Sequence, residues 1–274
     1  MTSPVRGTSL VCGHPPSAVD RTDILGVRVS AVNLDSAVDE IAIRIAEKSS
    51  RHYVCVTGVH GIIESQFDPK LRAIHNAADL VTPDGVPLVW LNWWYGKRFV
   101  SRVYGPDLML AACRRGEPEG WRHFFYGTTE ITLKKLIGNL SSELPRLQVA
   151  GSFAPPFREL QPNETEEIVS MINDSAADVV WVGLSTPKQE RWMSAMRGRL
   201  GAPVLIGVGA AFDFHAGSLK QAPHWIQRIG MEWCFRMWTE PRRLWRRYLR
   251  NNPMFMFLIA LQLLGLRRPW KSVS

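Results

Sequence analysis

From residue 24 onward the chain alternates between short apolar runs and longer segments whose apolar residues recur three and four apart. Short runs predict strands, and the 3.6-residue spacing predicts amphipathic helices. Residues 24–32 read as a first strand. Asn33 or Asp35 caps the helix that follows, which places Val38, Ile41, Ala42 and Ile45 on one face. Residues 52–57 form the next strand, then come helical segments to about residue 78 and a short strand at 79–82. Helices at 86–95 and 107–115 precede a strand at 121–126 and a helix at 129–144. A strand at 147–152, a helix near 164–176 and a strand at 178–183 follow, then a helix at 187–200 and a strand at 203–208. Strands alternating with helices imply βαβ units and a mostly parallel, Rossmann-like sheet with flanking helices, an α/β fold. The runs around Val54, Val180 and Leu205 are apolar throughout, as expected of strands covered on both faces.

A chain of 274 residues, 46% hydrophobic and 21% charged, is long enough for a sizeable core and too apolar to be disordered as a whole. Its four cysteines (12, 55, 113 and 234) are scattered, which excludes a disulfide scaffold or zinc finger and fits a reducing compartment. Residues 1–22 are rich in Ser, Thr, Pro and Gly without a long apolar core, so a disordered lead-in is expected rather than a secretory signal. The charge is uneven. Residues 220–274 hold eleven basic side chains against two acidic ones, a net +9, so the remainder of this +8 chain is almost neutral. Residues 253–266 are apolar apart from Gln262. As a helix they span about 21 Å, short of the roughly 30 Å of a bilayer core, but suited to lie in its interface between Arg-rich flanks. The expected organisation is therefore a lead-in at 1–22, an α/β core at 23–219 and a basic, helical membrane-binding appendage at 220–274.

Open parallel sheets bind ligands beyond the carboxyl ends of their strands. Those ends fall at Thr57-Gly58-Val59-His60, Thr82-Pro83-Asp84-Gly85, Tyr126-Gly127, Gly183 to Gln189 and Gly207 to Asp213. Helix N-termini at these points suit a phosphate, so the pattern favours a phosphorylated or nucleotide ligand. Each motif also has a plainer explanation. Gln189 completes a capping pattern with Thr186, Asp84 sits in a Pro-Asp-Gly turn, Asp213 follows a Gly-rich strand end, and His60 and His215 suit packing roles. Trp90, Trp93 and Trp94 read as core or interface residues. Gly207-x-Gly209-x-x-Phe212 lacks the third glycine of a dinucleotide fingerprint. No P-loop, GxSxG, HExxH or metal-ligand cluster occurs, nor the Asp-x-Asp of many metal-using sugar transferases.

Five motifs in order carry a resemblance: residues 81–87 (VTPDGVP), 102–109 (RVYGPDLM), 183–190 (GLSTPKQE), 207–217 (GVGAAFDFHAG), and the tail with Glu232-Trp233, Arg236 and 240–249 (EPRRLWRRYL). Together they resemble the WecG/TagA/CpsF family of bacterial glycosyltransferases over roughly residues 24–250. The resemblance implies an inverting, metal-independent transfer of a sugar from a UDP-sugar to an undecaprenyl-diphosphate-linked saccharide for cell-envelope polysaccharide. It implies no cofactor, and a cytoplasmic protein peripheral to the inner face of the membrane. Asp84 matches the family's proposed general base, Arg102 an active-site arginine, and Thr57 a threonine of the first site loop. Gln189 and Asp213 match nucleotide-holding positions, beside which Lys188, His60, Gly127 and Gly209 are candidate substrate-binding residues. Arg236, Arg243 and Arg246 match tail arginines that would steady the departing diphosphate or meet the membrane. Many members have an asparagine where this chain has Val59, and whether His60 replaces that amide is open. The sugar is not fixed: N-acetylmannosamine, its uronic acid, glucose and glucuronic acid all fit, with residues 90–95 and the Thr57 loop expected to bear on the choice. Relatives oligomerise, so a homo-oligomer through the apolar tail is one expectation. A nucleic-acid-binding protein or a nucleotide-dependent oxidoreductase are the competing classes, each disfavoured by the absence of its motifs.

Overall fold

The computed structural model describes residues 19–223, 226 and 230–266, without the side chain of Arg243. Two short strands, β1 (Arg21–Ile24) and β2 (Val27–Ser30), open the fold as an antiparallel hairpin. This corrects the single strand expected at 24–32. The reversal is a tight turn at Leu25 and Gly26, both with positive φ (55° and 84°). Leu-Gly carries none of the Asn-Gly or Asp-Gly signal that marks such turns, and apolar residues continue across it. Arg21 and Thr22, expected in the lead-in, already belong to β1. The other residues of that lead-in that precede 19 lie outside the described residues.

Helix α1 (Leu34–Ala46) starts at Asn33, whose side chain accepts from the Ser36 amide while Ser36 accepts from the Asn33 amide. Then follow β3 (His52–Thr57), α2 (Val59–Phe67), α3 (Pro69–Ala77), β4 (Leu80–Pro83), α4 (Val86–Trp94) and α5 (Gly105–Glu119). The second half runs β5 (Arg122–Gly127), α6 (Glu130–Glu143), β6 (Gln148–Phe153), α7 (Pro162–Asp174), β7 (Val179–Gly183), α8 (Lys188–Met196), β8 (Val204–Gly207) and α9 (Ala211–His215). The last two described helices are α10 (Glu232–Thr239) and α11 (Pro241–Leu263).

Strands β3 to β8 form a parallel sheet in the order β4-β3-β8-β7-β5-β6. Its core is split by the pleat. Val54, Val56, Phe125, Trp181 and Ile206 point to the face covered by α1, α5, α6 and α9. Tyr53, Cys55, Phe124, Tyr126, Val182 and Leu205 point to the face covered by α2, α4, α7, α8 and α11. That is why these strands read as continuous apolar runs. The hairpin lies along β4, with Ser30 Oγ accepting from the Val81 amide at 3.0 Å.

The C-terminal segment does not hang free. Leu244, Asn251, Phe255 and Ile259 are buried along one stripe of α11, at helical spacing. Gln262 bonds the hairpin at Leu25 N (2.8 Å) and Asp23 O (2.9 Å), fixing the far end of the helix to the start of the chain. Among the described residues, no helix is long and apolar enough to cross a membrane.

Candidate active site

A cleft of about 690 Å³ opens where β3, β4, β7 and β8 end. The chain reverses its winding there. After β3 and β4 it crosses to β5 and β6 at the opposite edge, and returns inward through β7 and β8. The first turns of α2, α4, α5 and α8 all contribute to the wall. Their dipoles give that wall a positive character, which suits an anionic group.

Asp84 stands at the end of β4. Its amide donates to the Thr57 carbonyl at 2.9 Å, which pins it to the neighbouring strand end. Gly85 follows at φ 140° and caps α4 without help from the Asp84 carboxylate, so the turn-and-cap role does not account for this residue. The carboxylate meets Arg102 instead. Nε and Nη2 of Arg102 donate to Asp84 Oδ1 at 3.3 and 3.2 Å, leaving Oδ2 outside the pair. Burial raises the Asp84 pKa from its ordinary value, Arg102 opposes this, and the charge of Glu232 reinforces it. Burial alone would lower the Arg102 pKa, but Asp84 and Glu232 outweigh it, so its guanidinium stays charged. The Tyr104 ring lies 4.1 Å under that guanidinium.

Gln189 is buried beneath Gly207 and Gly209, its Nε2 donating to Glu190 Oε1 at 3.1 Å. The capping role does not hold here either. Thr186 Oγ1 donates to Glu190 Oε1 (2.9 Å), not to Gln189, and α8 begins at Pro187 with no side-chain cap. Gln189 thus keeps an amide oxygen, with no hydrogen-bond partner in the structure, at the cleft floor near Gly209. Asp213 also lines the cleft. His60 also lines the cleft, and its Nδ1 lies 2.8 Å from the Asn251 side-chain amide of α11. Burial, helped by the charge of Arg247, lowers the His60 pKa to about 4, so the ring is neutral at pH 7 and Nδ1 accepts from Asn251.

Asp84, Arg102, His60, Gln189, Gly209, Asp213 and Arg236 therefore converge on one cleft. The other expected residues do not. Thr57 is buried behind the loop, its methyl facing Gly61, and it serves the site through its carbonyl bond to Asp84. Gly127 sits at φ 134°, where a Cβ would meet the Gly183 carbonyl oxygen at 2.6 Å, so it is needed for strand packing rather than for the cleft surface. Lys188 is exposed outside the cleft. Arg246 is exposed over Trp245, and its neighbour Arg247 lines the cleft instead. The Arg243 side chain lies outside the described residues. Trp90 and Trp94 are exposed outside the cleft, and Trp93 bonds Val100 O. His215 has a packing role, with its Nε2 2.9 Å from Pro106 O. Tyr104, Glu190, Asn251 and Arg247 were not singled out by the sequence, and Glu232 was named only as a motif residue, without a role. For Arg247 a signal existed: the helical phase of Leu244, Asn251 and Phe255 turns 247, not 246, inward.

The family model for the glycosyl transferase WecG/TagA/CpsF family matches residues 22–269. The chain belongs to this family, and it is a glycosyltransferase. It is 30% identical over 186 residues to an N-acetylglucosaminyldiphosphoundecaprenol N-acetyl-beta-D-mannosaminyltransferase of Bacillus spizizenii, covering 68% of this chain and 70% of that enzyme. A second enzyme of the same description, from Bacillus subtilis, is 28% identical over 174 residues, covering 64% of this chain and 66% of its own length. Among the described residues of this glycosyltransferase, no group of three or more His, Cys, Asp or Glu side chains stands ready to hold a metal ion.

Proposed function

We propose that this glycosyltransferase moves a sugar from a UDP-sugar, with inversion, to a saccharide carried on undecaprenyl diphosphate at a membrane surface, in cell-envelope polysaccharide synthesis. The observation that carries the reading is the placement of Asp84 and Arg102 at the strand ends, inside a cleft walled by helix N-termini and by Arg236 and Arg247. The relatives support it by their names, which describe transfer of N-acetylmannosamine to N-acetylglucosaminyldiphosphoundecaprenol.

In this reading the acceptor hydroxyl attacks the anomeric carbon from the face opposite the nucleotide. The new C–O bond forms as the bond from that carbon to the β-phosphate oxygen breaks, and the electron pair leaves with UDP. The hydroxyl proton passes to Asp84, to the oxygen that Arg102 does not engage. A base so placed contributes about 10²–10⁴-fold. Cleft arginines and helix N-termini meet the charge growing on the departing diphosphate. Gln189 and Asp213 hold the nucleotide. Exposed Arg242, Arg246 and Arg250 on α11, with Trp245, Leu249, Met256 and Phe257 also exposed, face an anionic lipid surface. The test is a transfer assay with a panel of UDP-sugars and a polyprenyl-diphosphate-linked N-acetylglucosamine, with and without EDTA. Product from one donor in both conditions supports the reading. UDP binding without product from any donor contradicts it.

A further inference from the structure

Arg102 is shared between two carboxylates. Besides its bonds to Asp84 Oδ1 at 3.2 and 3.3 Å, its Nη2 lies 2.7 Å from Glu232 Oε2. The Glu232 contact is an ion pair without hydrogen-bond geometry, but it is the shorter and the drier of the two, since the Glu232 side chain is 11% exposed and that of Asp84 28%. A charge pair gains strength as it shortens and leaves water. The two carboxylates come from different parts of the molecule. Asp84 and Arg102 belong to the α/β core, whereas Glu232 is the first residue of α10, in the C-terminal segment. Asp84, beside Arg102, faces Glu232 and Arg236 of α10, with Tyr104 beneath the guanidinium.

We propose that Glu232 is a positioning residue: by taking the closer share of the Arg102 guanidinium, it keeps Arg102 from a full ion pair with Asp84 and leaves Asp84 able to accept a proton. This rests on Asp84 being the base. A carboxylate that owns an arginine outright titrates one to three units low and accepts a proton poorly. A second carboxylate divides the arginine and adds its own repulsion. Glu232 does both, in the direction that burial already pushes Asp84. Arg236, on the same helix, pulls Asp84 the other way, so the effect rests on the contact that Glu232 makes. α10 packs against α11, whose Asn251 bonds His60 and whose Gln262 bonds the hairpin, so Glu232 is held in place from the C-terminal segment.

The test uses the full-length chain with 13C-carboxyl-labelled aspartate, the Asp84 signal being assigned by its loss in Asp84→Asn. In Glu232→Gln the Asp84 signal titrates about one unit lower than in the wild type. The acid limb of the kcat profile moves down with it, and kcat at neutral pH falls about tenfold while the donor KM changes little. Glu232→Asp keeps the charge but shortens the reach, so its signal shifts the same way by less, and it serves where Glu232→Gln does not fold. An Asp84 titration at the wild-type position in the folded variants overturns the proposal, even if activity is lost. The titration needs no sugar transfer. A wild type that transfers nothing would remove the reading of the reaction, while the Asp84 signal would still judge the contact with Glu232.

Discussion

Gly58 shows how tightly the site is set residue by residue. A Cβ there would stand 2.6 Å from the Asp84 carbonyl oxygen, so the β3 end and the Asp84 loop touch backbone to backbone. Gly58→Ala forces Asp84 outward. We expect a stability loss of about 1–3 kcal/mol, by thermal melts, with a larger fractional loss in transfer rate. Three histidines make a separate prediction. His60, His75 and His123 are each held neutral by burial, with pKa values lowered to about 4. Below pH 6.5 the unfolded chain takes up protons there that the folded chain refuses, so stability falls as pH drops from 6.5 toward 4. For His60 alone the loss between pH 7 and 5 is on the order of 1–2 kcal/mol. His60→Gln should flatten the pH dependence of the melting temperature, and an unchanged slope would contradict this. Asp84, Gln189, Asp213 and Gly209 were legible because strand ends can be read from the sequence and ligands gather there. Asn251 and Arg247 were not, and Glu232 was legible only as a motif residue, because they reach the cleft only once a segment far along the chain has folded back onto it.

At the scale of elements, most helices and strands followed from periodicity and capping. β3 fell where the pattern placed it, and of the two caps the sequence offered for α1, Asn33 and Asp35, the helix uses Asn33. The hairpin was missed because its turn is Leu-Gly within an apolar stretch. The docking of α11 was missed for another reason: its apolar residues serve two surfaces. One stripe, with Phe255 and Ile259, is buried against the core, while Met256 and Phe257 between them are exposed. Composition alone cannot separate the two. Phe255→Ala should therefore act as a docking mutation. Truncating a buried phenylalanine costs about 3–5 kcal/mol when its site cannot collapse. Hydrogen exchange should show α10 and α11 losing protection while β3, β7 and β8 keep theirs. Uniform loss across the sheet would mean that α11 is part of one cooperative core.

On the scale of the whole molecule, charge and apolar surface are concentrated in the C-terminal segment, which also walls the cleft. A surface of exposed arginines and aromatics on α11 should bind vesicles containing anionic lipid at low salt and release them as salt rises, at about 1 kcal/mol per basic residue near the surface. Equal sedimentation with neutral vesicles would contradict an electrostatic attachment. If vesicles bind there, one segment would meet both a lipid surface and the cleft, as the proposed lipid-linked acceptor requires. The central claim is nonetheless the chemistry at Asp84. Its most direct test is the Asp84→Asn variant, which keeps shape and most contacts but cannot take a proton. Measured against the wild type in the transfer assay, with UDP binding followed in parallel, the variant should lose at least about 10²-fold in kcat while binding UDP as before. Wild-type turnover by that variant would contradict the account.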